Sequence, residues 1–230
     1  MMAAAASEPL TRSVEDYLKT IYHLSLKGAP AGTSDIAHAL ELSPPSVSGM
    51  VKRLAEQGLL EHAPYRGVEL TDAGRLLALR MVRRHRVLET YLVEFLGYDW
   101  DTVHEEAERL EHAVSDPLIE RMAAALGHPE VDPHGDPIPQ ADGSIVELTF
   151  TALPDVATGL AVIIRRVDAS NADRLRYLAT LGLKPGTRLT VVDRQPFNGP
   201  ITIRTASRDH IIGHELANAL LCASAPAGEE

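Results

Sequence analysis

Six side chains in the middle of this chain have the types and spacing of metal ligands. His104, Glu108, Glu111 and His112 stand at i, i+4, i+7 and i+8, which on one helix places them within a sector of about 100°. His85 and Glu89 form a further i, i+4 pair on the helix predicted to precede it. Two adjacent antiparallel helices would gather these six nitrogen and oxygen donors, enough for two six-coordinate ions if water or other ligands help. Salt bridges on a solvated face would explain one such pair. Two pairs on neighbouring helices, with every histidine flanked by carboxylates, point to a metal centre. Cys222 is the single cysteine, so no thiolate set selects zinc or copper(I), and imidazole with carboxylate suits Mn(II) or Fe(II). A binuclear metalloenzyme is the rival reading. The di-iron bundle pattern needs Glu-x-x-His on two helices, and neither that pattern nor His-Glu-x-x-His occurs.

A second chemistry sits upstream. Residues 33–71 read as helix, break, helix and hairpin, the layout of a winged helix-turn-helix. The first short helix buries Ile36, Ala37 and Leu40, with Ser34 as its expected cap. Ser43-Pro44-Pro45 opens the second, which carries Val47, Met50, Val51 and Leu54 inward. Its other face offers Pro45, Ser46, Ser48, Gly49, Lys52 and Arg53, and small hydroxyl side chains at a helix N-terminus suit close approach to bases and phosphates. Thr33, Ser34 and the wing-tip residue Arg66 complete the expected DNA-binding set. Arg75, Arg80, Arg83, Arg84 and Arg86 form a basic stretch that either extends this face or is a solvated helix surface.

The elements that must position these groups fall into three textures. Residues 8–73 are helical with short breaks and end in the hairpin, whose turn is Tyr65-Arg66-Gly67. Residues 74–140 hold one helix from Gly74 to about Leu96 and another from about Asp101, with Asp116-Pro117 kinking it or opening a further helix. Trp100 is expected between the long helices. A connector rich in Pro, Gly and Asp follows, in which His128 and His134 read as loop histidines able at best to take adventitious zinc. Residues 144–223 turn to strand chemistry, with strands at Leu160–Val167, Arg188–Asp193, Ile201–Thr205 and His210–Ile212, a short helix at Asp173–Leu181, and the spacing of a small β-barrel. The class is α+β, multidomain. At 230 residues, 45% apolar and 23% charged, the chain forms packed cores. No run is long enough to span a membrane, Met1–Ala6 reads as a loose tail rather than a secretory signal, and cysteine usage points to the cytoplasm. A net charge of −10 excludes a globally basic DNA binder but not a local basic face.

These segments resemble a known family. Asp16-Tyr17-Leu18-Lys19-Thr20-Ile21-Tyr22, Pro45-Ser46-Val47-Ser48, Arg83-Arg84-His85-Arg86-Val87-Leu88-Glu89, Val103 through His112 and Gly135-Asp136-Pro137-Ile138-Pro139 are similar to the diphtheria toxin repressor and manganese transport regulator family of metal-dependent repressors. The last zone, with Leu178 to Gly186 and Phe197-Asn198-Gly199-Pro200-Ile201, is similar to the SH3-like (FeoA-type) domain of many members. The resemblance implies an ancillary metal site at His85, Glu89 and His104, and a primary one at Asp16, Glu108, Glu111 and His112. Iron-responsive members have methionine and cysteine at the positions of Asp16 and Glu108, so the acids here resemble the manganese regulators and make Mn(II) the expected ion, with Fe(II) second. Lys19 stands where binuclear manganese regulators have glutamate. A charged lysine cannot ligate, so His85, Glu89 and His104 become the expected second position. Asp173 is a further candidate ligand from the SH3-like domain. The resemblance also implies a homodimer on a near-palindromic operator in double-stranded DNA. Leu88, Leu92, Leu110, Val114, Leu118 and Met122 are open either to the dimer surface or to the core. Without metal, the carboxylates at the primary site are expected to repel and leave the DNA-reading part loose.

Overall fold

A computed structural model describes residues 10–26, 28–63, 67–146 and 148–225. The wing tip with Arg66 and the tail Met1–Ala6 lie outside the described residues. The chain forms two compact units: one up to His85 with Glu111–Ser115 and Pro139–Ser144, the other Arg86–Leu110, Asp116–Ile138 and the residues from Ile145 on.

The first unit opens with α1 (Arg12–Ser25), whose Val14, Leu18 and Ile21 recur at helical spacing and are fully buried. Helix α2 (Thr33–Ala39) follows. The Gly32 carbonyl takes the Ile36 N–H at 3.0 Å, so Gly32 is the cap and Ser34 lies exposed in the first turn, not at the cap as expected. Glu41 then turns into the left-handed region (φ 54), and Leu42 donates to Ala37 O. Helix α3 (Pro44–Glu56) starts with prolines in its first turn, where the missing N–H costs nothing, and buries Val47, Val51 and Leu54. Strands β1 (Leu60–Ala63) and β2 (Gly67–Leu70) pair antiparallel with Leu60 opposite Leu70, and Ala31 bridges to Val68. Helix α4 (Asp72–Leu96) begins two residues before the expected Gly74, because the Thr71 hydroxyl accepts the Gly74 N–H and caps it.

In the second unit, α5 (Val103–Leu110) is short, and Asp116-Pro117 opens a separate helix, α6 (Asp116–Ala125), rather than kinking one. The C-terminal part is a six-stranded antiparallel sheet of order β3-β8-β4-β5-β6-β7. Its strands are β3 (Thr151–Ala152), β4 (Ala161–Val167), β5 (Arg188–Arg194), β6 (Ile201–Thr205), β7 (Asp209–Ile212) and β8 (Leu220–Ser224). Helices α7 (Ala172–Thr180), capped by the Asn171 side chain, and α8 (His214–Asn218) accompany it. Alternate residues of the strands, such as Ile164, Val191, Ile203 and Cys222, join Leu175 and Leu178 of α7 in one core. Trp100 belongs to that core, not to a seam between long helices, and the Lys184 ammonium lies 5.2 Å from its ring centroid.

Candidate metal centres and nucleic-acid interface

In the first unit, α1 supplies Glu15, Asp16 and Lys19, α4 supplies Arg84 and His85, and the turn after α5 supplies Glu111 and His112. Ligand atoms of Asp16, Glu111 and His112 all lie within 4.8 Å of one another. His112 Nδ1 is 2.8 Å from Glu15 Oε2, and Arg84 holds the other Glu15 oxygen at 3.3 Å. That fixes the ring so that Nε2 faces Asp16 Oδ1 at 2.9 Å and Glu111 Oε1 at 3.4 Å. Buried Nε2 makes no hydrogen bond among the described residues, which leaves a nitrogen and two carboxylates converging on one point, an arrangement that fits a divalent ion. Glu111 is fully buried, accepts from Lys19 Nζ at 2.8 Å on both oxygens, and places Oε2 2.6 Å from His85 Nδ1.

The second unit gathers Glu89, Asp132 and His134, all buried, with ligand atoms again within 4.8 Å. Glu89 stands on α4, and the connector carries Asp132 and His134. Asp132 Oδ1 accepts the N–H groups of His134 and Asp136 at 2.8 and 2.9 Å. His134 Nε2 donates to Trp100 O at 2.7 Å, which leaves Nδ1 facing Glu89 Oε2 at 3.8 Å. Val167 of β4 donates its N–H to His134 O. Gly135 (φ +88) passes so close to β4 that a Cβ there would meet Arg165 O at 1.9 Å; only glycine fits. Burial works to lower the His134 pKa, but the hydrogen bond and charge of Glu89, with the charge of Asp132, push it up to about 9. Burial, then Asp136 and Glu89, push Asp132 up to about 7. The other Glu89 oxygen is 3.0 Å from His104 Nδ1, and His104 Nε2 is 3.7 Å from Glu108 Oε1.

Asp16, Glu111 and His112 come together, with His85 joined through Glu111. Glu89, His104 and Glu108 line up in the second unit, where Glu108 faces His104. The single-helix stripe does not form, because α5 stops at Leu110 and its last two members ride on a turn. Asp132, His134 and Glu15 were not among the expected ligands; Asp132 and His134 cluster with Glu89, and Glu15 lies against His112. His134 lies in the connector loop as expected, but it is buried at 1% exposure and not a surface residue. Asp173 is exposed and pairs with Arg176 at 2.9 Å. Cys222 lies in the sheet core, and burial pushes its thiol up to about 12, so it offers no thiolate.

On α3, Pro45, Ser46, Ser48, Gly49, Lys52 and Arg53 are all exposed, while Thr33 is half-buried and Ser34 exposed on α2. Of the arginine stretch on α4 only Arg80 is exposed. Arg83 donates to Pro139 O, Arg84 to Glu15, and Arg86 to Pro137 O and Asp136. Internal partners use up most of that charge.

Family models match three successive segments. They are the iron dependent repressor N-terminal DNA binding domain over residues 9–68, the iron dependent repressor metal binding and dimerisation domain over residues 71–140, and the FeoA domain over residues 151–224. The iron-dependent repressor IdeR of Mycobacterium leprae is 34% identical over 223 residues, covering 92% of this chain and 96% of the relative. The diphtheria toxin repressor of Corynebacterium diphtheriae is 33% identical over 221 residues with the same coverage. A solved manganese-dependent transcriptional repressor in complex with manganese superposes with a TM-score of 0.85 at 41% identity, covering 92% of this chain and all of that one. The manganese regulator SloR gives 0.74 at 34%, covering 94% of this chain and all of the other. The chain belongs to the diphtheria toxin repressor and manganese transport regulator family of metal-dependent, DNA-binding transcriptional repressors. Its class is that of a regulator and not an enzyme, which removes the metalloenzyme reading. Divalent-metal binding, DNA binding and dimerisation come with that membership. Among the described residues no helix is long and apolar enough to cross a membrane.

Proposed function

We propose that this chain is a Mn(II)-responsive repressor of metal-uptake genes, with Fe(II) as the weaker alternative. One observation carries the choice: every donor in the two clusters is carboxylate or imidazole, the hard and borderline set that suits Mn(II) and holds nothing to select a softer ion. The 41% identity with a solved manganese-dependent repressor supports the same choice. Asp16, Glu111 and His112 would hold one ion, oriented by Glu15. Glu89, Asp132 and His134 would hold another, with His104 and Glu108 adjoining through Glu89. An ion on Asp16 and the Glu111–His112 turn ties α1, the first helix of the DNA-reading module, to that turn. In a homodimer this sets the two α3 helices for successive major grooves, about 34 Å apart, on a near-palindromic operator. Metal then raises DNA affinity, and DNA raises metal affinity by the same factor. Leu88 and Leu92 are buried within the subunit, whereas Phe95, Leu96 and Leu118 are exposed and supply the apolar part of the dimer face. The regulator works in the cytoplasm, where its operator lies.

A mobility-shift titration at controlled free Mn(II), Fe(II) and Zn(II) tests this reading. Operator binding is expected at the lowest free concentration with Mn(II) relative to its cellular supply. Equal binding to chelator-treated protein would overturn the metal dependence, and activation by Fe(II) alone would overturn the choice of ion.

Gly49 gives an independent check on the DNA face. It sits inside α3, exposed, and a Cβ there would meet nothing within 4 Å. Gly49→Ala should therefore raise stability by about 1 kcal/mol through helix propensity, yet weaken operator binding because the added methyl sits between helix and DNA. Thermal melting and the mobility shift read the two effects separately.

A further inference from the structure

The turn between α4 and α5 carries the only tryptophan of the chain, Trp100. We propose that Trp100 is the positioning residue of the Glu89, Asp132 and His134 centre: its ring, locked in the core of the C-terminal sheet, fixes the main-chain carbonyl that orients His134. This rests on reading Glu89, Asp132 and His134 as metal ligands.

Ring and main chain of this one residue face different tasks. The ring is buried in the core built on the C-terminal strands and α7, whose members include Ile164, Leu175 and Leu178, and the Lys184 ammonium lies over its face. Its Nε1 is buried and makes no hydrogen bond among the described residues, so shape and apolar contact hold the ring in place. The carbonyl of the same residue accepts from His134 Nε2 at 2.7 Å. The indole and imidazole centroids are 5.7 Å apart, with the rings tilted by 30°. Hydrogen bond and ring contact together settle how the imidazole is turned, and they leave Nδ1 as the nitrogen on the Glu89 side. A histidine that ligates through one nitrogen needs its other nitrogen held, and an outer partner of that kind governs metal affinity. Here the partner is a main-chain atom in residues 97–102, which belong to no helix or strand, so the buried ring is its anchor. The neighbouring ion pair, Arg176 Nε to Asp101 Oδ2 at 3.1 Å, involves an arginine that is 57% exposed and adds little. The C-terminal core thus acts on the centre through Trp100.

Equilibrium dialysis of the full chain with Mn(II), alongside melting in chelator, tests the proposal. Trp100→Ala should raise the free Mn(II) needed to fill the His134 centre by roughly 10–100-fold and leave the ion on Asp16, Glu111 and His112 in place. Trp100→Phe keeps an aromatic ring and gives up no side-chain hydrogen bond, so it should bind both ions. Ile203→Ala empties another part of the same core, on β6, and is the control. It should melt lower, as Trp100→Ala does, yet keep both ions at unchanged affinity. Equal weakening in Ile203→Ala would reduce Trp100 to one core residue among others and overturn the proposal. His134→Ala separates the proposal from the reading beneath it. An unchanged ion count there overturns the ligand assignment itself, whereas a lost ion in His134→Ala with full affinity in Trp100→Ala overturns the role of Trp100 alone. Should Trp100→Ala fail to fold, Trp100→Leu, which fills part of the socket but offers His134 no ring, takes its place with the same weakening expected.

Discussion

Glu111→Ala should cost about 3–5 kcal/mol of folding stability, because it takes a buried carboxylate away from both the Lys19 ammonium and His85. The two side chains are 10% and 0% exposed and 2.8 Å apart, so water cannot replace the lost carboxylate. Most of that penalty belongs to the weakened compensation of a buried charge and not to the net worth of the pair. The double variant Lys19→Met/Glu111→Leu should therefore recover most of the loss, since two apolar side chains of similar volume need no partner. A denaturant-melt cycle over the two single variants and the double measures the coupling. Additive single effects would mean that the pair contributes nothing specific, and that Glu111 matters only through His85.

His134→Ala should remove one ion per subunit and raise the Mn(II) concentration for half-maximal operator binding by at least about 100-fold, since loss even of an outer partner of a metal ligand costs on the order of 10–100-fold. His134→Gln, which keeps a hydrogen-bonding side chain of comparable size, separates metal loss from collapse of the connector. Unchanged metal content in both variants would exclude this centre. The same residue sets a pH dependence. Its pKa, pushed up to about 9 by Glu89 and Asp132 against the effect of burial, lies above the unfolded value. The imidazolium's contribution to stability is therefore complete below about 6.5 and is lost as pH rises through about 9. A metal ion needs the neutral ring, so between pH 7 and 9 it must displace a proton, and its affinity should rise about tenfold per pH unit before levelling off. Metal-loaded and chelator-treated protein should accordingly diverge in melting temperature across that window, with the loaded form gaining. A constant difference would show that His134 is not a ligand.

How much of this could be read beforehand depends on the range of the interaction concerned. The helices α1 and α3 were legible because Val14, Leu18 and Ile21, and Val47, Val51 and Leu54, write their periodicity locally, and Pro44-Pro45 marks where α3 begins. Strand β6 over Ile201–Thr205 stands where alternation put it. The end of α5 was not legible. No glycine or proline separates His104 from Asp116, and what holds Glu111 and His112 are Lys19 and Glu15, more than ninety positions away. The same holds for His134. Its neighbours are loop-forming residues, and its burial comes from Trp100 and from Val167 of β4. Strand β8 went unread because Leu220-Leu221-Cys222 is a short apolar run that follows a short helix and carries no alternation of its own; pairing with β3 and β4 makes it a strand. Leu88 and Leu118 share a residue type and a helical setting, and only packing tells the buried one from the exposed one.

Gly135 passes close against the backbone of β4. The strand's own carbonyl forms a wall behind the bend that carries Asp132 and His134, so the C-terminal module is part of the masonry of the proposed site there. A change that removed or shifted this strand would therefore take away the backing of the proposed Glu89, Asp132 and His134 site.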